Sequence, residues 1–192
     1  MFRHAAGGAQ ELFGIKPDMA TYAKAMGGGF PISAIAGKKE IMQHAIPGEV
    51  LHGGTYNGNP LCLAAANATL AELTANDCAA FKHMKRIGEK LLKGHQAAIE
   101  NAGIDALVQG KGPVLQLYFT KLHKIRNYRD YCQADPELYR IYQKEMAKRG
   151  IWFGPEVHFF TSAVHSDEDA DTTIAAVQGS LKAMKDMDRS IP

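Results

Sequence analysis

Two short segments of this chain hold the residue types from which chemistry can be built. In Tyr22-Ala23-Lys24-Ala25-Met26-Gly27-Gly28-Gly29-Phe30-Pro31, one lysine ends an apolar stretch and is followed by three glycines and a proline. The preceding residues, from Ile15 to Tyr22, read as a short Pro-initiated strand, so Lys24 is expected where a strand opens into a loop. Desolvation at such a place lowers an ammonium pKa and frees the amine as a nucleophile toward an aldehyde. The glycines let bare backbone lie close to a flat ligand, and Pro31 stiffens the exit. A lysine before glycines is more often a solvated loop residue; at a strand end it suggests a Schiff base to pyridoxal phosphate.

The second segment, His52-Gly53-Gly54-Thr55-Tyr56-Asn57-Gly58-Asn59-Pro60, favours that chemistry. It leads into an Ala/Leu-rich helix over residues 61–73, with Asn59 as N-cap and Pro60 at the first helical position. The N–H groups of Gly53, Gly54 and Thr55, the Thr55 hydroxyl and a helix N-terminus together make a phosphate cradle.

These residues also carry a resemblance. Phe2-Arg3, Gly7-Gly8-Ala9-Gln10, Pro17-Asp18, Lys24 with its glycines, the run from Gly54 to Pro60, and Ala163-Val164-His165-Ser166-Asp167-Glu168-Asp169 stand in one order. That order and spacing resemble class III pyridoxal-phosphate aminotransferases, above all the glutamate-1-semialdehyde 2,1-aminomutase-like branch, over nearly the whole chain. The resemblance implies a transferase or isomerase that moves an amino group through a lysine Schiff base, with a small-molecule amino donor and acceptor. It makes Lys24 the catalytic lysine, first nucleophile and then general base and acid. It makes Thr55 the threonine that reaches the cofactor phosphate of the neighbouring subunit, with Gly54 and Asn59 supporting that loop. A homodimer with shared active sites follows.

The family's pattern also departs from this chain. Its members are much longer, and their first half supplies a Gly-Ser/Thr phosphate loop, a ring-stacking aromatic, a substrate-carboxylate arginine and the acid that pairs with the pyridine nitrogen. That acid belongs to Asp-Glu-x-x-x-Gly-Phe-Arg, and here Met1 stands in the glycine's place before Phe2-Arg3. The expectation is a chain that begins in the middle of an enzyme and is slow or inactive unless a longer chain supplies the other half. Around Gly154 to Ser162 the family's aminomutases have a slightly longer Pro-x-x-Phe-Glu-x-x-Phe stretch, a departure that leaves the amino substrate open. A non-catalytic domain for dimerisation or partner binding is the alternative. A Schiff-base aldolase is a third reading, which the Thr55 cradle disfavours.

Positioning these residues requires a mixed architecture. Residues 1–59 read as the truncated end of a cofactor-binding large domain: the lysine strand, a second short strand around Ser33 to Ala36, and a helix over residues 39–45. Residues 60–192 read as a linking helix and small domain. Helices are expected over 61–73, 79–102 and 136–149, the last ending at Gly150, and a final helix is capped by Ser166. Strands are expected over 106–109, 114–119 and at Ile151-Trp152-Phe153. The fold class is therefore an α/β remnant of the fold type I large domain of pyridoxal-phosphate transferases, followed by an α+β C-terminal small domain.

Composition agrees with an ordinary globular piece. The chain has 192 residues, 46% of them hydrophobic and 22% charged, with net charge +2, which gives no argument for nucleic acid or a membrane partner. The three cysteines, Cys62, Cys78 and Cys132, show no C-x-x-C spacing, so neither a disulfide frame nor a zinc site is expected and a cytoplasmic location is the default. Lys82, Lys85, Arg86, Lys90 and Lys93 form a basic helical face, best read as solvated. The basic stretch 121–129 falls where the family has a variable surface loop near the active-site mouth. His158 and His165 fit no metal-ligand spacing.

Overall fold

In the computed structural model of the chain, residues 2–45, 49–154 and 158–188 are described. Met1 and residues 155–157, on which part of the family comparison rests, lie outside them. The chain divides into two compact units, Met1–Lys82 and His83–Pro192.

The first unit is built around a β-hairpin. Strand β1 (Met19–Ala23) pairs antiparallel with β2 (Ser33–Gly37), from Met19 opposite Gly37 to Ala23 opposite Ser33. The loop between them begins at Lys24. A short helix α1 (Gly8–Phe13) precedes the hairpin, and α2 (Lys39–Met42) follows it, continuing as a single 3-10 turn over Gln43–Ala45. The helix expected over 39–45 is thus present but tightens at its end. β1 is shorter than the sequence suggested, because residues 15–18 are irregular and the strand starts only at Met19.

A long helix α3 (Pro60–Ala102) then runs out of the first unit and into the second. It is two helices joined at a kink, with non-helical backbone from Ala75 to Cys78 and three consecutive left-handed residues, Asn76, Asp77 and Cys78 (φ 49°, 55° and 58°). Asn and Asp tolerate this region comparatively well; a cysteine there is uncommon. The expected break between residues 73 and 79 is therefore real. Asn59 caps the first segment, its Oδ1 accepting from the N–H groups of Leu61 and Cys62, each at 3.1 Å.

The second unit places a three-stranded antiparallel sheet, in the order β3 (Ala106–Lys111), β4 (Val114–Phe119), β5 (Phe159–Phe160), among helices. Those helices are residues 83–102 of α3, the short α4 (Tyr128–Tyr131), α5 (Pro136–Lys148) and α6 (Asp167–Asp188). Alternation on β4 sends Leu115, Leu117 and Phe119 into the core, where they meet Ile87 and Leu91 of α3, Tyr142 and Met146 of α5, and Val177 and Leu181 of α6. Burying such side chains contributes about 1.5–3 kcal/mol each. Gly88 allows the backbones of α3 and the β3–β4 turn to touch: a Cβ there would lie 1.9 Å from the Gly112 carbonyl oxygen.

The expected Ser166 cap of α6 forms, and α5 has a cap of its own in Asp135. Asp135 accepts from the N–H groups of Glu137 and Leu138 ahead of α5, and Ser166 exchanges bonds with Asp169 at the start of α6. One expected strand does not form. Residues Ile151, Trp152 and Phe153 are irregular, and the third strand is Phe159–Phe160, which pairs with Val114 and Leu115. Phe153 instead packs its ring at 4.5 Å from that of Phe159, so an apolar run that looked like a strand serves as a packing segment.

Candidate functional site

The hairpin loop turns sharply at its first residue. Lys24 has φ 57°, in the left-handed region, and opens a 3-10 turn, Lys24–Gly27. For a residue with a Cβ this conformation costs about 1–2 kcal/mol, so the surrounding packing must hold it. Within the turn, Met26 and Gly27 are buried. Gly28, at φ 58°, lies so close to α3 that a Cβ on it would sit 2.4 Å from the Thr69 Oγ1. Thr69 is fixed in turn, its hydroxyl donating to the Ala65 carbonyl at 2.8 Å. The lysine is therefore set in place by glycines pressed against a helix.

Lys24 itself is exposed, and its ammonium makes no hydrogen bond or ion pair among the described residues. This corrects one expectation: the 192-residue chain does not bury the amine, so it does not supply the desolvation that the sequence suggested.

The second segment folds as two overlapping turns. The Gly54 carbonyl accepts from Asn57 N at 3.0 Å and the Tyr56 carbonyl from Asn59 N at 3.1 Å, leading directly to the capped start of α3. Among the described residues, the N–H groups of Gly53, Gly54 and Thr55 and the Thr55 hydroxyl have no hydrogen-bond partner. Four donors are thus free on one short exposed stretch, and no hydrogen bond ties them to Lys24.

In the second unit, the charged face of α3 is engaged rather than free. Arg86 donates to both carboxylate oxygens of Asp167, at 2.7 and 2.8 Å, and Lys90 reaches Asp167 and Asp171 at 3.3 and 2.7 Å. The Arg86 hydrogen bonds, and after them those of Lys90, hold the Asp167 carboxyl down at about 2. His165 accepts at Nδ1 from Ser162 N (3.0 Å), and His83 Nε2 donates to the His165 carbonyl (2.7 Å). No group of His, Cys, Asp or Glu among the described residues has the arrangement of a metal site.

Residues 5–181 match the family model for class III aminotransferases, and the chain belongs to that family. It is 39% identical over 184 residues to a glutamate-1-semialdehyde 2,1-aminomutase of Sorangium cellulosum, covering 94% of this chain and 41% of that protein. An omega-transaminase from Sphaerobacter thermophilus superposes with a TM-score of 0.82 at 26% identity, over 94% of this chain and 42% of the other. A transaminase solved with pyridoxal phosphate bound gives a TM-score of 0.83 at 24% identity, over 98% and 43%. The mixed α/β fold expected from the sequence is the fold of these transaminases. The chain spans about two fifths of the length of the curated relatives it matches.

The left-handed backbone of Lys24 and the contact between Gly28 and Thr69 were not visible in the sequence. Three glycines signalled that some residue there would leave ordinary backbone space, and nothing indicated that the lysine itself would.

Proposed function

We propose that this chain carries the lysine-bearing part of a pyridoxal-phosphate-dependent enzyme that transfers or relocates an amino group on a small molecule. The observation that carries the reading is the left-handed Lys24 at the end of β1, held by a turn packed on α3. Such backbone strain in a residue with a side chain gathers at functional sites.

The residues present fit the cofactor. A free primary amine at Lys24 suits its aldehyde, and the unpartnered donors of Gly53, Gly54 and Thr55 suit its phosphate. Lys24 Nζ would hold the group through its aldehyde and, once displaced by the substrate amine, would carry the proton between the amine-bearing carbon of the substrate and the cofactor carbon. Thr55 Oγ1 and the neighbouring N–H groups would hold the phosphate of a second copy's cofactor, which would make the enzyme a homodimer with shared sites. When bound, pyridoxal phosphate supplies the electron sink that makes that carbon acidic. The exposed apolar residues Val50, Leu51, Tyr56 and Leu61 near the loop favour this contact with a second copy. The 192 residues by themselves turn over slowly or not at all, because the stacking aromatic and the ring-nitrogen acid have no counterpart among them.

Titrating pyridoxal phosphate into the chain while following its visible absorbance tests the reading. The spectral change should be lost in both Lys24→Ala and Lys24→Arg, since a guanidinium does not condense with the aldehyde. An unchanged spectrum in Lys24→Ala would exclude Lys24 as the holding residue.

A further inference from the structure

β5 pairs with β4 only at Val114 and Leu115. Alongside the rest of β4 lies a cleft of about 370 Å³, whose walls include Gln116 and Tyr118 of β4, Tyr131 of α4, Asp135 ahead of α5, and Tyr139 and Arg140 within that helix. No residue of the Lys24 and Thr55 segments lines it.

Aromatic rings make up much of this wall. Tyr118 and Tyr131 meet edge to face, with centroids 6.1 Å apart and planes at 87°, so their faces stand as two perpendicular sides of a corner. Both rings are held in place: the Tyr118 hydroxyl donates to Gln116 Oε1 at 3.2 Å, and Tyr131 stacks on Tyr128 at 5.8 Å with planes 27° apart. A ring face is electron-rich and attracts a cation, and rings fixed beforehand need little ordering on binding. Tyr139, 8% exposed, is a third ring of the wall.

Charge points the same way. Asp135 N donates to the Phe119 carbonyl at 2.8 Å, which fixes the residue beside β4. Its Oδ1 accepts both cap N–H groups, from Glu137 at 2.8 Å and Leu138 at 3.1 Å, so neither bond falls on Oδ2. The exposed carboxylate has no ion-pair partner among the described residues. Arg140, the other charged side chain on the wall, is paired with Glu137. Burial first, and the neighbouring phenols second, push Tyr139 up to about 12 and Tyr118 above its ordinary value, so both phenols are neutral near pH 7. Asp135 therefore carries the unbalanced charge among the described residues of the wall. An anion would meet that carboxylate, and the N-terminus of α5 already has Asp135 as its cap and Glu137 in its first turn.

We propose that this cleft binds a small quaternary ammonium ion, with its alkyl groups against the faces of Tyr118 and Tyr131 and its charge balanced by Asp135 Oδ2. A primary ammonium brings three N–H donors that need acceptors, and Gln116 Oε1 is already taken. A fully alkylated ammonium brings none and is held by ring faces and charge alone.

Calorimetric titration of the 192-residue chain with choline tests the proposal, with its neutral isostere 3,3-dimethylbutan-1-ol and the primary amine ethanolamine as comparison probes. Saturable one-to-one choline binding is expected, about tenfold tighter than the neutral isostere and tighter than ethanolamine. Asp135→Asn keeps a good helix cap while removing the charge, so it should weaken choline binding roughly three- to tenfold and reduce its dependence on salt. Tyr131→Leu, which keeps an apolar side chain, should weaken it by a similar factor, and Tyr131→Phe should not. Lys24→Ala should leave it unchanged, which keeps this result separate from the proposed cofactor chemistry. Absence of saturable choline binding, equal affinity for the neutral isostere, tighter binding of ethanolamine, or affinity unaltered in both Asp135→Asn and Tyr131→Leu would each overturn the proposal.

Discussion

At the scale of single residues, the structure depends on a few positions where chain and environment are tightly matched. Gly28 is one. Adding a Cβ there combines the cost of left-handed backbone with a 2.4 Å overlap on the Thr69 hydroxyl, so Gly28→Ala should destabilise the first unit by about 2–4 kcal/mol. Urea unfolding should show part of that loss recovered in Gly28→Ala/Thr69→Ala, because the double variant removes the overlap and keeps the strain. No recovery would mean that Thr69 is not what confines the turn. His95 is another. It is fully buried, Nδ1–H donates to the Leu91 carbonyl at 2.8 Å, Nε2 has no partner, and the ring stands edge-on to Phe159 at 5.2 Å. Burial, opposed only weakly by the Leu91 bond, depresses its pKa from 6.5 to about 4. The folded chain therefore refuses a proton that the unfolded chain accepts below 6.5. Stability from this group is full above that pH and is lost as pH falls toward about 4, by about 3 kcal/mol in all. Unfolding free energies measured from pH 7 to 4 should show this slope, and His95→Leu should flatten it.

At the scale of elements, caps and periodicity were the legible part. Asn59-Pro60 announced the start of α3, and Ser166 with Asp169 that of α6, because a cap is decided by two or three adjacent residues. Replacing Ser166 by Ala should cost about 1 kcal/mol, read as a lower midpoint in urea, while Ser166→Asn should cost little. The two strands flanking the lysine loop were legible too, since glycines and Pro31 separate them, but their pairing was not. What could not be read was anything decided by distant partners. Ile151-Trp152-Phe153 has strand-like composition, yet β4 offers its edge to Phe159 and Phe160 instead. The cleft lined by Gln116, Tyr131 and Tyr139 was invisible in the sequence because these residues meet only after three elements assemble. The basic face of α3 was read as solvated, whereas its Arg86 and Lys90 pair with Asp167 and Asp171, partners too far along the chain to be seen in the sequence.

At the scale of the whole molecule, the two units differ in how well they are covered. The second has a continuous core, whereas the first leaves Phe13, Ile15, Met19 and Ile35 exposed around a two-stranded sheet whose β2 is exposed along its length. An uncovered edge and apolar face of this kind favour association, so the chain should sediment as a dimer or larger species at micromolar concentration. A well-behaved monomer would contradict the shared-site reading of Thr55. No helix among the described residues is long and apolar enough to cross a membrane. The central claim is that Lys24 is the residue that holds the cofactor. Reducing a mixture of the chain and pyridoxal phosphate with borohydride, followed by peptide mapping, tests it most directly. The account predicts that the peptide containing Lys24 carries the label well above every other lysine, and uniform labelling of exposed lysines would contradict it.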